Sequence, residues 1–336
     1  MSADPHLDHA ALRALVGSAF GLAVEELTFL PEGTSHAYRA QGPGGRFFLK
    51  VHPDSPYGAR ATARARREAP LLQALREEGL THVPRPLPTR AGGWSAALGG
   101  FQVFAYDWID AVNLGQDWTA ALPELAPLLG KLHRCTARIG AQGLALPVPP
   151  EDFALPFDAL LTEALHTLAH LPADARPALV RLAGLLGPHL PLIQALLAQA
   201  REAARQARQA PPPFVPCHTD AHGGNVMRAQ DGALWLIDWE TARLAPPEHD
   251  LWMLGHHLPA LLPAYAGGRG QPYEPRSHLL RFYVLRRSLE DLAEDLRWLL
   301  HEHPTPQTEA HSLDLIERFM LPALLSAEAD VAALEG

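Results

Sequence analysis

One stretch, residues 217–238, constrains this chain more than any other. His218-Thr219-Asp220-Ala221-His222-Gly223-Gly224-Asn225 has the form H-x-D-x-x-x-x-N, and a second acid, Asp238, follows the apolar segment 233–237. Asp231-Gly232, lying between that segment and Val226-Met227, is a strong hairpin signal, so the spacing predicts two antiparallel strands closed by a two-residue loop. That register sets Val226 opposite Ile237 and Asn225 opposite Asp238, with Cβ atoms about 5 Å apart on one face. An amide oxygen and a carboxylate so placed can share one hard cation, and Asp220 stands a few residues upstream on the incoming loop.

Composition bounds the rest. A chain of 336 residues, 47% of them hydrophobic, has material for one large or two moderate domains. The formal net charge of −9, with no basic stripe, weighs against nucleic acid as a partner. Cys135 and Cys217 lack metal-type spacing and read as small buried hydrophobes in a reduced, cytoplasmic setting. The first residues carry acids ahead of an apolar run and no basic region, unlike a secretory signal. The most apolar region, 178–200, is interrupted by Arg181, Pro188, His189 and Pro191, which argues against a membrane span.

From the N-terminus the pattern predicts a helix over 9–20 and a three-stranded meander over 27–30, 38–40 and 46–51. Its first corner, 31–36, holds Gly33 and Ser35, small enough to let backbone N–H groups approach phosphate. One glycine between strands is more often an ordinary hairpin. Lys50 shifts that balance: the chain has only two lysines, Lys50 and Lys131, among 28 basic residues. A lysine closing an apolar strand, where any cation could have been arginine, points to a compact ammonium aimed at phosphate oxygens. A helix over 59–78 carries Glu68 and is expected to kink or restart at Pro70. Strands over 94–98 and 101–109 flank Gly99-Gly100, and sheet gives way to helix around Tyr106 and Trp108. Beyond Trp118 the period is helical, with Leu122, Leu125, Leu128, Leu129 and Leu132 on one face. Two or three amphipathic helices fill 158–209, and two long helices, over 276–301 and 309–334, close the chain.

The ordered set of corner, Lys50, Glu68, His218 to Asn225 and Asp238 resembles the kinase-like small-molecule phosphotransferases, the aminoglycoside phosphotransferase and choline kinase family. Thr219 stands where that family usually has glycine, and Ile237-Asp238-Trp239-Glu240 replaces the D-F-G of protein kinases, as in the small-molecule branch. Residues 128–133 resemble the helix before the family's catalytic loop, and 245–252 its bracing segment, with Asp250 as the brace. The resemblance implies a two-lobed, protein-kinase-like α+β fold: a small antiparallel-sheet, nucleotide-binding lobe over 1–107 and a large, mainly helical catalytic and acceptor-binding lobe over 108–336.

It also implies ATP and magnesium. Gly33, Ser35 and Lys50 would meet the phosphates, Glu68 would pair with Lys50, and Tyr106 to Trp108 would meet adenine. Asn225 and Asp238 would hold the magnesium, and His218 and Asp220 would be catalytic, Asp220 as the base toward a hydroxyl of a small acceptor. Plainer roles stand beside these: Glu68 as a partner of Arg64, and Tyr106 and Trp108 as packing residues.

Two other classes fit part of the pattern. A nucleotide-binding regulatory protein without chemistry would usually lack one of Lys50, Asp220, Asn225 or Asp238, and all four are present. A metal-dependent hydrolase could use His218, Asp220 and Asp238 as ligands, yet it leaves Lys50 without a role. For the acceptor, an aminoglycoside-like antibiotic or a hydroxylated metabolite, residues 282–292 loosely resemble a C-terminal helix of the spectinomycin-phosphorylating branch. The acids Glu290, Asp291, Glu294 and Asp295 there would favour an amine-bearing acceptor, whereas Arg286 with Glu290 and Arg287 with Asp291 equally fit a solvated face.

Overall fold

In a computed structural model the described residues are 4–31, 35–141, 148–302 and 305–335. Asp8 caps α1 (His9–Phe20) by accepting from the Ala10 and Ala11 N–H groups. The chain then forms the expected antiparallel meander, β1 (Glu26–Leu30), β2 (His36–Gly42) and β3 (Gly45–Pro53), with Ala37 opposite Lys50. Ser55 caps α2 (Pro56–Glu77), and Pro56 sits in the first turn, where its missing N–H costs no helical bond. The expected break at Pro70 does not occur: α2 is one helix with the proline inside it. Buried Ala61, Ala65, Ala69 and Leu72 recur at helical spacing and pack this helix on the sheet, which offsets the bond that Pro70 removes.

The sheet is completed by β4 (Pro86–Leu87), β5 (Ala96–Leu98) and β6 (Phe101–Asp107), in the order β1-β2-β3-β6-β4 with β5 also on β6. Gly99 and Gly100, at φ 41° and 75°, make the tight turn before β6 that side-chain-bearing residues would resist. Next come β7 (Ala111–Asn113), a 3₁₀ turn (Gly115–Ala121) and α3 (Leu122–Ala141), with Leu122, Leu125, Leu129 and Leu132 buried.

Three helices follow, α4 (Asp158–Ala169), α5 (Pro177–Leu186) and α6 (Leu190–Gln209). By length and composition alone 177–209 would reach across a membrane. A 3₁₀ turn at Gly187–His189 divides it, and Leu182, Leu186, Ile193, Leu196 and Leu197 share a core with Leu285, Leu289 and Leu292. The constraining stretch forms β8 (Val215–Cys217), β9 (Val226–Ala229) and β10 (Leu234–Leu236), followed by β11 (Arg243–Ala245). The rest is helical: α7 (Glu248–Leu251), α8 (Leu258–Arg269), α9 (Ser277–His301), α10 (Pro306–Leu315) and α11 (Leu321–Glu335). The last two, expected as a single helix, are joined by a π-helical turn at Ile316–Met320.

Packing divides the chain into two compact units that alternate along the sequence. The first joins Met1–Pro149, Val215–Leu244 and Ala264–Gln271, so the six-stranded sheet, α2 and the H-x-D-x-x-x-x-N hairpin belong to one body. The second joins Pro150–Phe214, Ala245–Pro263 and Pro272–Gly336 and is built on α9. On that helix Asp291 pairs with Arg287 at 3.0 Å, Glu294 with Arg297 at 2.6 Å and Glu290 with Arg286 at 3.9 Å. Asp295 is buried, so three of the four acids are matched by arginines of their own helix, as a solvated face would have them. Asp250 is fully buried in α7 of the same unit.

Candidate active site

The hairpin forms, one residue out of the expected register. Val226 pairs with Leu236, Met227 with Trp235 and Arg228 with Leu234. The Ala229 N–H donates to Ala233 O at 3.0 Å, so the loop is three residues, 230–232, rather than two. Gly232 takes a φ of 88° and Asp231 Oδ1 accepts from the Ala233 N–H, the pattern of a three-residue hairpin closed by a left-handed glycine. Asn225 therefore faces Ile237, whose N–H donates to the Asn225 carbonyl at 2.9 Å, and not Asp238. Asp238 itself lies one position on, at φ 62°, where the chain leaves the pleat.

The loop that precedes the hairpin is tied down by its own side chains. His218 is fully buried: Nε2 donates to Ile237 O at 2.9 Å, Nδ1 accepts from the Asp220 N–H at 3.3 Å, and the ring packs edge-on to Trp239. With both nitrogens on backbone groups, His218 braces the loop and leaves the chemistry to Asp220. Thr219 sits at φ 74°, a region that β-branched side chains resist, at the position where the resembling family has glycine. Its hydroxyl reaches the carbonyl of Thr241 at 3.1 Å and the Thr241 hydroxyl at 3.0 Å.

Asp220 is half-buried and is held from two sides. Asn225 Nδ2 donates to Asp220 O at 2.8 Å and to Oδ2 at 3.1 Å. His222 Nδ1 accepts from the Gly224 N–H at 2.9 Å, so its Nε2, 3.5 Å from Asp220 Oδ2, is the proton-bearing nitrogen. Sequence reasoning did not assign His222, although its place inside the motif was the available signal. Gly223 allows this loop to lie against the 3₁₀ turn: a Cβ there would come within 1.9 Å of Gly115 O.

Lys50, opposite Phe104 on β6, brings the sheet to this loop. Its Nζ lies 3.5 Å from Asp238 Oδ1 and 3.5 Å from Glu240 Oε2, and Arg64 of α2 holds the same Glu240 at 3.2 Å. Burial disfavours the ammonium, yet Glu68, Asp238 and Glu240 outweigh it and hold Lys50 above its ordinary range. Glu68 is buried and accepts from the Trp239 N–H; burial, against the pull of Lys50, raises it well above the usual carboxylate range. Glu68 thus acts on Lys50 from beyond ion-pair distance, while Arg64, the plainer partner expected for it, pairs with Glu240 instead. Glu240 was not singled out in the sequence, although an acid two residues past Asp238 was its signal.

At the nucleotide end the placements differ. Gly33 lies outside the described residues, and Ser35 is half-buried just before β2. Tyr106 does not reach the end of the sheet: it pairs with Phe48 on one side and Pro86 on the other, and it is buried. Its expected contact with adenine is therefore corrected to a place inside the lobe. Trp108, half-buried with the Arg46 guanidinium 5.9 Å from its ring centre, is the aromatic that stands where the sheet ends. The N–H groups of Asp107 and Trp108 already donate, to Arg85 O at 3.0 Å and Arg46 O at 3.3 Å.

The donor set suits magnesium. Asn225 commits its Nδ2 to Asp220, which leaves Oδ1 as its acceptor atom, and the Asp238 carboxylate is 46% exposed and so open to a ligand. Both are hard oxygens of the kind that cation takes.

A profile of the phosphotransferase enzyme family matches residues 26–283. No curated protein matches the sequence. Among solved structures, a spectinomycin phosphotransferase in complex with ADP and spectinomycin superposes with a TM-score of 0.74 at 19% identity, over 96% of this chain and 99% of that one. An aminoglycoside phosphotransferase from Alicyclobacillus acidocaldarius subsp. acidocaldarius DSM 446 gives 0.63 at 17% identity, over 99% of this chain and 96% of that one. A choline kinase from Streptococcus pneumoniae gives 0.56 at 15% identity, over 94% and 98%. At such identities the likeness is one of fold: a kinase-like architecture with an antiparallel N-terminal sheet and a helical C-terminal part.

Proposed function

The chain belongs to the phosphotransferase enzyme family, and we propose that it moves the γ-phosphate of ATP to a hydroxyl of a small molecule in a magnesium-dependent reaction. The observation that carries this reading is the meeting of Lys50 from β3 with Asp238 and Glu240 from the end of the hairpin, in the same compact unit as Asp220 and Asn225. Three distant stretches of sequence have no structural need to bring one buried ammonium and three acids together, whereas a polyphosphate site needs such a balance.

In this reading residues 1–107 bind the nucleotide, with Lys50 on phosphate oxygens, Glu68 balancing its charge, and Ser35 and Trp108 at the two ends of the site; residues 108–336 supply catalysis and the acceptor site. Asn225 and Asp238 would hold the magnesium, which when bound neutralises charge on the phosphates. Asp220 accepts the hydroxyl proton of the acceptor, and Asn225 and His222 keep its carboxylate aimed. Catalysis then consists of positioning and electrostatic balance. Cys135 and Cys217, both buried free thiols, accord with a reduced cytoplasmic setting.

The acceptor class is open to a direct screen, since the fold is shared with enzymes named for spectinomycin and for choline. ADP release should be followed with and without magnesium against aminocyclitols, amino alcohols and neutral alcohols. The expected result is acceptor-stimulated, magnesium-dependent turnover that Asp220→Asn removes. Nucleotide binding with no turnover on any acceptor would favour a nucleotide-binding regulator of the same fold.

A further inference from the structure

The sheet face covered by α2 carries a polar pair that the proposed reaction leaves unused. In the β3 and β6 register Lys50 is opposite Phe104 and Phe48 is opposite Tyr106, so Lys50 and Tyr106 project to the same side of the sheet. Tyr106 is 4% exposed. Its hydroxyl and the Oε2 of Glu68 are both shut off from solvent, and neither has a hydrogen-bond partner. The two lie close: after burial itself, the Glu68 carboxylate is the strongest of the groups that raise the phenol above its ordinary range. Glu68 is meanwhile anchored from another direction by the Trp239 N–H, next in sequence to Asp238.

Leaving two such atoms without partners costs about 1–3 kcal/mol each, and a phenylalanine would fill position 106 without its share of that cost. A hydroxyl kept there has a use in some state other than this one. The charge balance says which. Here Lys50 is divided between Asp238 and Glu240 at 3.5 Å each. Once Asp238 is engaged elsewhere and Lys50 turns to a phosphate, Glu68 becomes the acid that must balance a buried ammonium, and an ill-fixed partner for a buried charge is costly.

We infer that Tyr106 is a positioning residue: when Lys50 engages a nucleotide phosphate, the Tyr106 hydroxyl donates to Glu68 and holds that carboxylate against the ammonium. The inference rests on the reading of Lys50 as a phosphate ligand. Tyr106 touches no reacting atom, and it acts through Glu68.

The test compares wild type, Tyr106→Phe, Glu68→Gln and the double variant, using magnesium-ATP as the probe. Melting without nucleotide and magnesium-ATP affinity are measured for each. Tyr106→Phe should melt at the same temperature as wild type or higher, since it deletes a buried hydroxyl that has no partner. Its magnesium-ATP affinity should fall about three- to tenfold, the worth of one hydrogen bond, and that fall should vanish in the Glu68→Gln background. A role in packing alone would move the two readouts the other way, lowering the melting temperature and leaving the losses additive. Unchanged affinity, additivity with Glu68→Gln, or a fall in melting temperature that accounts for the loss would each overturn the inference. Lys50→Ala is run alongside. If wild type binds and Lys50→Ala does not, the phosphate reading stands whatever Tyr106 does; if wild type fails to bind magnesium-ATP, both readings fall.

Discussion

Lys50 Nζ and Asp238 Oδ1 stand 3.5 Å apart, and this pair joins the six-stranded sheet to the end of the catalytic hairpin. The two partners are unequal: the Lys50 side chain is 13% exposed and that of Asp238 is 46% exposed. Asp238 is therefore open to a ligand on the side away from the lysine, while Lys50 is closed to solvent and surrounded by acid. A site arranged this way is short of cations on its open side, and a metal-bound polyphosphate brings both the missing positive charge and an anion for the lysine.

That inequality separates two variants. Asp238→Ala removes a hard-oxygen ligand, so nucleotide affinity should become weak and lose its dependence on magnesium. Lys50→Ala removes a phosphate contact and should weaken binding while the magnesium dependence remains. ATP affinity measured over a range of magnesium concentrations decides the matter. Equal, magnesium-independent losses in both variants would sink the assignment of Asp238 to the metal.

Asp220→Asn tests the base. The replacement keeps an oxygen that can accept from Asn225 Nδ2, which now donates to Asp220 Oδ2 at 3.1 Å, so the loop should hold its shape. ATP affinity should stay near that of wild type, and phosphotransfer should fall on the order of 10²-fold or more. A variant that kept most of its turnover would remove Asp220 from that role.

The parts of this site that could be read in the sequence are those whose chemistry is spelled locally. The H-x-D-x-x-x-x-N spacing and a lysine in a chain of arginines identify Asp220, Asn225 and Lys50 with no knowledge of tertiary structure. Register was harder, because Asp231-Gly232 fits either a two-residue or a three-residue loop, and the left-handed conformation that decides between them belongs to Gly232 alone. Tyr106 was misplaced for a different reason. Residues 103 to 106 are all buried, so alternation does not say which side chain faces α2 and which faces α1. Glu240 escaped notice because its partners, Lys50 and Arg64, come from elements far away in the chain. The continuity of α2 through Pro70 is likewise a result of packing on the sheet, which no local propensity encodes.

Thr219 gives a prediction about strain. At φ 74° a glycine would sit without penalty, while threonine is retained by its contacts with Thr241 at 3.0 and 3.1 Å. Thr219→Gly exchanges relief of strain for lost hydrogen bonds and should change stability by less than about 1 kcal/mol. Thr219→Val keeps the β-branch in the unfavourable region and loses the hydroxyl, so it should cost about 1–3 kcal/mol. Denaturant midpoints of the two variants check the contrast, and a Thr219→Val protein as stable as Thr219→Gly would show that the backbone there carries no strain.

His52 predicts how the protein responds to acid. It follows Lys50 by two residues on β3 and is 1% exposed; Nδ1 lies 3.3 Å from Thr62 Oγ1, and Nε2 has no hydrogen-bond partner. Burial, with Lys50 and His36 adding to it, lowers its pKa from 6.5 to about 4. Between those values the unfolded chain binds a proton that the folded protein refuses, so stability is fully present above pH 6.5 and falls as the pH drops toward 4. The loss attributable to this one group approaches roughly 3 kcal/mol at the acid end of the window. His52→Gln keeps a polar atom for Thr62 but cannot take up the proton, and its stability should fall less steeply over the same range. Urea midpoints at a series of pH values for both proteins give the slopes. Parallel slopes would mean that His52 titrates alike in the folded and unfolded chain, and that the acid sensitivity of the lobe comes from its carboxylates alone.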